Sequence, residues 1–588
     1  MNNLEKNAVN LHLISDFNLD ILGQYLKNED SANLLSVTAA PFGQLVPALL
    51  QPPPAGTSSF AVIWTSPEKA VPSFAEALNF HPVDEARLLA EVRQFAGCLK
   101  QAQTNFAAIF VVSWTLPSTR RGTGLLELKG QGARKLLQKM NLALIEELGN
   151  CAAVYVLDGQ RWMELVGKNA YSPKMWYLTK TPFHSDVFRW AAHDLKAAIA
   201  ALHGGSRKLV IVDLDNTLWG GVVGDLGWEN LRLGGHDYLG EAFVDFQKAL
   251  QSLSRRGILL AIVSKNEESI ALEALNRHAE MVLRPRDFAA WRINWNDKAA
   301  NVAELVAELN LGLQSAVFID DNPVERARLR EALPEVLVPE WPEDKTLYAT
   351  RLLEMDCFDS AYATAEDELR NQMYASEKQR ELLKQTVSSA EEWLLSLDTE
   401  VMIEELNPAN RVRVVQLLNK TNQMNLSTRR LSEQALQSWL QSGNRKLWAF
   451  RVKDKFGDSG LTGILSLEWQ GAVATIQDFV LSCRVMGRHV ENAMLAFAAE
   501  HAAASGCREL QAQYVPTAKN KPCLQFWLAS GFSCNEKENS FNWSLNQTYP
   551  FPNGIKVQSP LAVRVEADGS HKQNARHPEG TSLPVFTD

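Results

Sequence analysis

Short apolar runs alternate along most of this chain with segments whose apolar positions recur every three or four residues. LHLISDF (11–17), FAVIWTS (60–66), AAIFVVSW (107–114) and AAVYVLD (152–158) read as buried strands. EARLLAEVRQFAGCLKQAQ and GARKLLQKMNLALIEELG, lying between them, read as amphipathic helices. Strand and helix in alternation predict a parallel sheet covered by helices. QPPPAGTSS (51–59) reads as a loop inside this first unit. A second block starts at Lys208, with strands in KLVIVDLDNT, ILLAIVSKN (258–266) and SAVFIDDNP (315–323). The helices FVDFQKALQSLSRRG and KAANVAELVAELN separate them, and the block ends near residue 340. A charged helical stretch, about 365–395, connects to a third α/β pattern. There a helix is expected over 408–419, strands near 447–453, 461–468, 473–481 and 509–515, and a helix over 488–505. From Tyr549 periodicity is lost, and a mobile tail is expected. The expected units are therefore 1–205, 206–345, a connector 346–399, 400–546 and a tail 547–588.

Composition narrows the partners. Apolar residues make up 46% and charged residues 22% of the 588, enough to bury several cores. The net charge of −9 argues against a generic nucleic-acid or anionic-membrane binder. Seven scattered cysteines form no CxxC pair and no Cys/His cluster of zinc spacing, as expected of free thiols in a reducing cytoplasm. No apolar run is long enough to span a membrane. Glu5, His12 and Asp16 interrupt the first twenty residues, which do not read as a secretory signal. A soluble cytoplasmic protein is expected.

The strongest chemical signal is VIVDLDNTLWGG (210–221). An apolar strand runs into a loop carrying Asp213, Asp215 and Thr217, and the carboxyl ends of parallel strands are where open sheets place ligands. Side chains two apart on an extended segment project alike, so the two carboxylates are expected to share a site. Their repulsion is relieved by a divalent cation, and oxygen-only ligands favour Mg2+. Ser264 closes the strand ILLAIVS and is suited to a phosphate oxygen. Lys298 opens a helix, and Asp320 and Asp321 end the strand AVFID as further metal ligands.

This order of Asp-x-Asp-x-Thr, Ser, Lys and Asp-Asp resembles the haloacid-dehalogenase phosphohydrolase superfamily. The resemblance implies that Asp213 is a nucleophile forming an aspartyl-phosphate and Asp215 a general acid and base. It implies Mg2+ held by Asp213, the Asp215 backbone carbonyl and Asp320, with Asp321 in support. Thr217, Ser264 and Lys298 would stabilise the phosphoryl oxygens. The gaps from Asp215 to Ser264 and from Ser264 to Lys298 are too short for a separate lid domain. An open site suits a macromolecular substrate or one covered by a neighbouring domain.

The stretches LDNTLWGGVVGDLGWENLRLG, IVSKNEE, INWNDKAANV, VFIDDNPVERA, QLLNKTNQMNLSTRR and LSCRVMGR are more specific. Together, from about Lys208 to Phe532, they resemble the FkbH-like family of polyketide and related assembly lines. That resemblance implies dephosphorylation of 1,3-bisphosphoglycerate or a similar acyl phosphate and transfer of a glyceryl-like unit to an acyl carrier protein. Asn266 becomes a candidate substrate-binding residue, as do Asn422 and Arg429 in a polar cluster with Asn425 and Arg430. Transfer through an enzyme thioester needs a thiolate, yet no cysteine lies between Lys208 and Glu340. Cys357, Cys483 and Cys523 are nearest in sequence. A thiol from outside the block, direct transfer, or a different substrate all remain open. So do a stand-alone small-molecule phosphatase and a non-enzymatic carrier-docking scaffold.

Residues 400–546 resemble the GCN5-related acetyltransferase fold, through Asn520, Pro522, Phe526, Gly531 and Phe532 and through a strand-to-helix turn. Arg484 and Gly487 in that turn are candidate cofactor-binding residues, although His489 stands where Gly or Ala is usual. Residues 1–200 resemble the SGNH-hydrolase fold, but its Gly-Asp-Ser turn reads Ser15-Asp16-Phe17. His184 is then a base without a nucleophile, and a non-catalytic domain is expected. The fold class expected is multidomain α/β, a Rossmann-like haloacid-dehalogenase core between an SGNH-like and an acetyltransferase-like domain.

Overall fold

The chain is a multidomain α/β protein built on three separate sheets. Its computed structural model describes residues 9–558 except 28–34, 42, 51–58, 150, 152, 236, 361–379, 381–386, 388, 518 and 536–538. The expected 51–59 loop, most of the charged connector and most of the tail lie outside those residues. No helix among the described residues is long and apolar enough to cross a membrane.

The N-terminal sheet is wholly parallel, in the order β2-β1-β3-β4-β5. Its strands are β1 Val9–Ser15, β2 Leu35–Ala39, β3 Ser59–Trp64, β4 Ala108–Val112 and β5 Val154–Leu157. β3 and β4 are buried along their whole length because helices cover both faces. β2 escaped the sequence reading because it is an edge strand, half exposed and short of apolar residues.

Four parallel strands form the middle sheet, in the order β8-β7-β6-β9. They are β6 Leu209–Val212, β7 Leu259–Ser264, β8 Ala290–Ile293 and β9 Ala316–Ile319. Along β6 the faces alternate. Val210 and Val212 join a core with Trp219 and Phe246, and Leu209 and Ile211 join a second core with Val302 and Phe318. Tyr348, Leu352 and Phe358 pack into the first of these cores. The middle unit therefore extends past residue 345, where the connector was expected to begin.

The C-terminal sheet is mixed, in the order β16-β17-β15-β14-β13-β12-β10-β18, with β11 beside β14. Its strands are β10 Thr399–Glu405, β11 Met424–Asn425, β12 Arg445–Asp454, β13 Gly457–Gln470, β14 Val473–Leu481, β15 Glu509–Gln513, β16 Ser533–Asn535, β17 Ser540–Ser544 and β18 Ile555–Gln558. β18 pairs in parallel with β10, so the expected tail contributes a strand before it leaves the described residues. The helix Val490–Ala504 packs its apolar side chains into the main core.

Within that core His501 lies against Trp448, Trp469 and Phe497, with ring centroids 4.5, 5.8 and 5.8 Å away. Burial pushes its imidazole down to about 4. An unfolded histidine titrates near 6.5, so protons bind the unfolded chain in preference. The stability that the neutral ring contributes is complete above about pH 6.5 and is lost as pH falls towards 4. Calorimetry at pH 7 and pH 4.5 should show a larger fall in Tm for the native chain than for His501→Phe. Equal falls would clear His501 of this role.

Candidate active site

The carboxyl edge of the middle sheet gathers the acidic residues. β6 ends at Val212, and the Asp213 N–H still donates to the Ile319 carbonyl at 3.0 Å, which keeps the two strand ends in register. β9 ends at Ile319, so Asp320 and Asp321 emerge beside Asp213. One carboxylate oxygen from each of Asp213, Asp320 and Asp321 lies within 4.8 Å of the others. Asp213 and Asp320 are buried.

Lys298 stands among them. Asp297 caps its helix, Lys298–Glu308, by accepting from the Ala299 and Ala300 N–H groups, and this fixes the first turn against the sheet edge. The buried Lys298 ammonium lies 2.6 Å from Asp320 Oδ2 and 3.1 Å from Asp213 Oδ1. Burial works against that charge, but the two carboxylates outweigh it and hold the amine above its ordinary range. Burial pushes the Asp213 carboxyl up to about 7; Lys298 opposes this and the Asp320 charge adds to it. Asp320 is raised for the same first reason.

Neighbouring groups fix the loop. Arg326 Nη1 donates to the Asp320 and Asp321 carbonyls at 2.7 and 2.8 Å. Thr217 Oγ1 accepts from the Asp321 N–H at 3.1 Å, and Lys345 Nζ reaches Asp321 Oδ2 at 3.3 Å. Neither Arg326 nor Lys345 was singled out from the sequence. Lys345 lies beyond the motif-bearing strands, and Arg326 sits in a helix pattern with no apolar period to betray its burial.

Asp215 takes a different direction. Its Oδ1 accepts from Trp219 Nε1 at 2.9 Å and the Val223 N–H at 3.1 Å, and its Oδ2 from Asn266 Nδ2 at 2.9 Å. Its side chain is thus outside the three-carboxylate cluster, which leaves the Asp215 backbone carbonyl as the group expected to face a metal there. Asn216, with φ of 55°, turns the chain at this point and lets Trp219 fold back. Asn266 also touches Ser264 Oγ at 3.3 Å, so Ser264, Asn266 and Asp215 form one connected edge.

The three carboxylates offer oxygen ligands only, two of them from buried side chains. That set fits a hard divalent cation such as Mg2+, held by Asp213, Asp320 and Asp321.

No family model matches the chain, and no curated protein matches it. Solved structures do. The N-terminal part of the protein BF1531 from Bacteroides fragilis, containing a phosphatase domain complexed with Mg, is 27% identical. That match covers 62% of this chain and 96% of that one, with a TM-score of 0.54. The ribosomal-protein-S18-alanine N-acetyltransferase from Escherichia coli is 11% identical over 24% of this chain and 90% of its own, with a TM-score of 0.19. The spermidine/spermine N-acetyltransferase SpeG from Vibrio cholerae is 12% identical over 25% and 94%, with a TM-score of 0.20.

The remaining candidates lie in the flanking domains. Arg429 pairs with the buried Asp478 and lies over the Trp439 ring, while Asn422 accepts from Arg430. Both side chains are engaged within the C-terminal domain. Near Gly487, the Glu491 carboxylate accepts the Gly487 N–H at 2.6 Å, placing an acidic group where an anionic cofactor would seek that amide. Arg484 Nε donates to Ser482 Oγ at 3.2 Å. β14 and β15 pair only through Ile476↔Ala512, and beyond that point Met424–Leu426 fills the gap between them. Leu426 N–H donates to Phe479 and its carbonyl accepts from Val515.

In the N-terminal domain Phe17 packs against Trp64 and Phe183 with centroids at 5.9 and 5.5 Å. His184 accepts the Asp186 N–H and so caps the helix Ser185–Leu202.

Two outcomes test the cation site. Mg2+ should raise the Tm of the native chain and leave Asp320→Asn unmoved in differential scanning fluorimetry. Lys298→Met should cost about 3–5 kcal/mol in metal-free chemical denaturation, because two buried carboxylates lose their counter-charge.

Proposed function

We propose that the middle domain is a Mg2+-dependent phosphohydrolase of haloacid-dehalogenase type, acting on a phosphorylated small molecule. The observation that carries this reading is the meeting of Asp213, Asp320, Asp321 and Lys298 at one strand edge. The likeness to a part of BF1531 that contains a phosphatase domain complexed with Mg supports it.

In this reading Asp213 attacks phosphorus through a carboxylate oxygen. The new Asp213 O–P bond forms as the bond to the leaving oxygen breaks, giving an aspartyl-phosphate. Asp215 hands a proton to the leaving oxygen and later takes one from the water that hydrolyses the intermediate. Trp219, the Val223 N–H and Asn266 position Asp215 for both steps. Lys298 compensates the charge of Asp213 and Asp320, and the buried Ser264 and Thr217 hydroxyls lie beside Asp213 and Asp321. A cation held by the three carboxylates supplies neutralisation of the phosphoryl oxygens.

The finer reading follows the FkbH-like motifs: an acyl phosphate such as 1,3-bisphosphoglycerate as substrate, and an acyl carrier protein as acceptor. The cysteines favour direct transfer over an enzyme thioester. Burial pushes the Cys357 and Cys523 thiols up to about 12, so neither presents a thiolate near neutral pH. Cys483 lines a cleft with Lys208, which precedes β6, whereas Asp213 follows it. The same absence of a nearby nucleophilic thiol favours a stand-alone phosphatase as the second reading. A complete set of carboxylates and lysine weighs against a merely structural scaffold.

Asp213→Asn should lower phosphate release from 1,3-bisphosphoglycerate by at least about a thousandfold. Intact-mass analysis of a candidate carrier, incubated with substrate and Mg2+, should show a glyceryl increment with the native chain only. Carrier loading that survives Asp213→Asn would refute the coupling. Turnover of many phosphate esters with no carrier increment would establish the second reading.

A further inference from the structure

Lys345 lies beyond β9, outside the strands and helices that carry the carboxylates and Lys298, yet its ammonium reaches their cluster. It opens the short helical turn Lys345–Leu347, which Asp344 caps by accepting from the Thr346 N–H at 3.0 Å. Tyr348, next along the chain, is fully buried among Phe243, Phe246 and Trp341, with ring centroids 6.2, 5.6 and 5.2 Å away. Lys345 Nζ donates to the Tyr348 hydroxyl at 2.6 Å and lies 5.0 Å from the centre of that ring. The aromatic core therefore fixes where the ammonium stands, 3.3 Å from Asp321 Oδ2.

The charges of the site balance without it. Lys298 and a divalent cation together offset the three carboxylates. A balanced site exerts no net pull on a phosphoryl dianion, and Asp215 repels one whenever it is ionised. Two other cations stand near, and each is committed elsewhere. Arg326 is buried and spends Nη1 on the Asp320 and Asp321 carbonyls. Lys265, which follows Ser264, pairs with Glu325 at 2.7 Å. The Lys345 side chain keeps a quarter of its surface exposed. Its carboxylate partner, Asp321, serves the cation site as well, so a loaded site has one positive charge in surplus. An ammonium has three donors, and Asp321 and Tyr348 are the hydrogen-bond partners of Lys345 among the described residues. One donor is left for a ligand.

We propose that Lys345 is a substrate-binding residue of the middle domain, supplying the surplus charge that draws a dianionic phosphoryl group to the carboxylate edge, a role that rests on the phosphohydrolase reading of that domain. Two consequences have opposite sign. The charge that attracts a phosphoryl dianion also repels the cation beside it, so Lys345 favours phosphate and opposes Mg2+. A side chain that merely held Asp321 in place would favour Mg2+, because it would present a ligand in the right orientation.

Calorimetric titration of the full chain with Mg2+, and of the Mg2+-loaded chain with inorganic phosphate, tests it. Lys345→Met should bind Mg2+ about threefold to tenfold more tightly than the native chain, and phosphate at least about tenfold more weakly. Lys345→Arg keeps the charge and should stay within about threefold of the native affinity for phosphate. Mg2+ binding by each variant also reports that its middle domain is folded. Three results overturn the proposal: no phosphate binding to the Mg2+-loaded native chain, unchanged phosphate affinity in Lys345→Met, or a fall in its Mg2+ affinity, which would make Lys345 a prop for Asp321. A native chain that binds no Mg2+, or Asp320→Asn binding it as tightly as the native chain, sinks the phosphohydrolase reading and this role with it.

Discussion

Three carboxylates at one sheet edge, two of them buried, repel one another unless positive charge stands among them. Lys298 supplies that charge, 2.6 Å from Asp320 and 3.1 Å from Asp213. Its place depends on the helix that Asp297 caps, and the carboxylates depend on β6 and β9 ending side by side. Arg326 then fastens the loop through two carbonyls. The proposed chemistry needs little beyond this, because a nucleophile, a proton carrier and a cation cradle follow from where two strands stop.

Carboxylates collect where strands of the middle sheet end, whereas Lys208, at the start of β6, faces basic side chains of the C-terminal domain. Parallel strands make this separation simple, since every strand delivers its C-terminal residue to one edge. The C-terminal domain leans on the amino edge through Lys208 and Lys420 and leaves the acidic edge to the proposed phosphoryl chemistry.

Both flanking domains pack residues of their own chain against the ends of their parallel strands. Phe17 occupies the first turn of the N-terminal sheet, wedged between Trp64 and Phe183. Met424–Leu426 zips the gap between β14 and β15, and Glu491 takes the Gly487 amide.

Much was legible along the chain. The buried strands LVIV and LLAIVS announce themselves as continuous apolar runs, and the acidic residues stand directly after them, so strand and candidate chemistry were read together. Edge strands such as β2 and late strands such as β18 were not legible, because half-exposed strands carry little hydrophobic pattern. By itself the sequence determined the α/β class, the residues Asp213, Ser264, Lys298, Asp320 and Asp321, and their order. Only the tertiary structure decided that Asp215 turns to Trp219 and Asn266, that Lys345 joins the rim, and that Lys208 meets the C-terminal domain at Lys420. The reason is physical: period and order are local properties of a chain, whereas side-chain direction and charge neighbours are set by which strands and domains pack together.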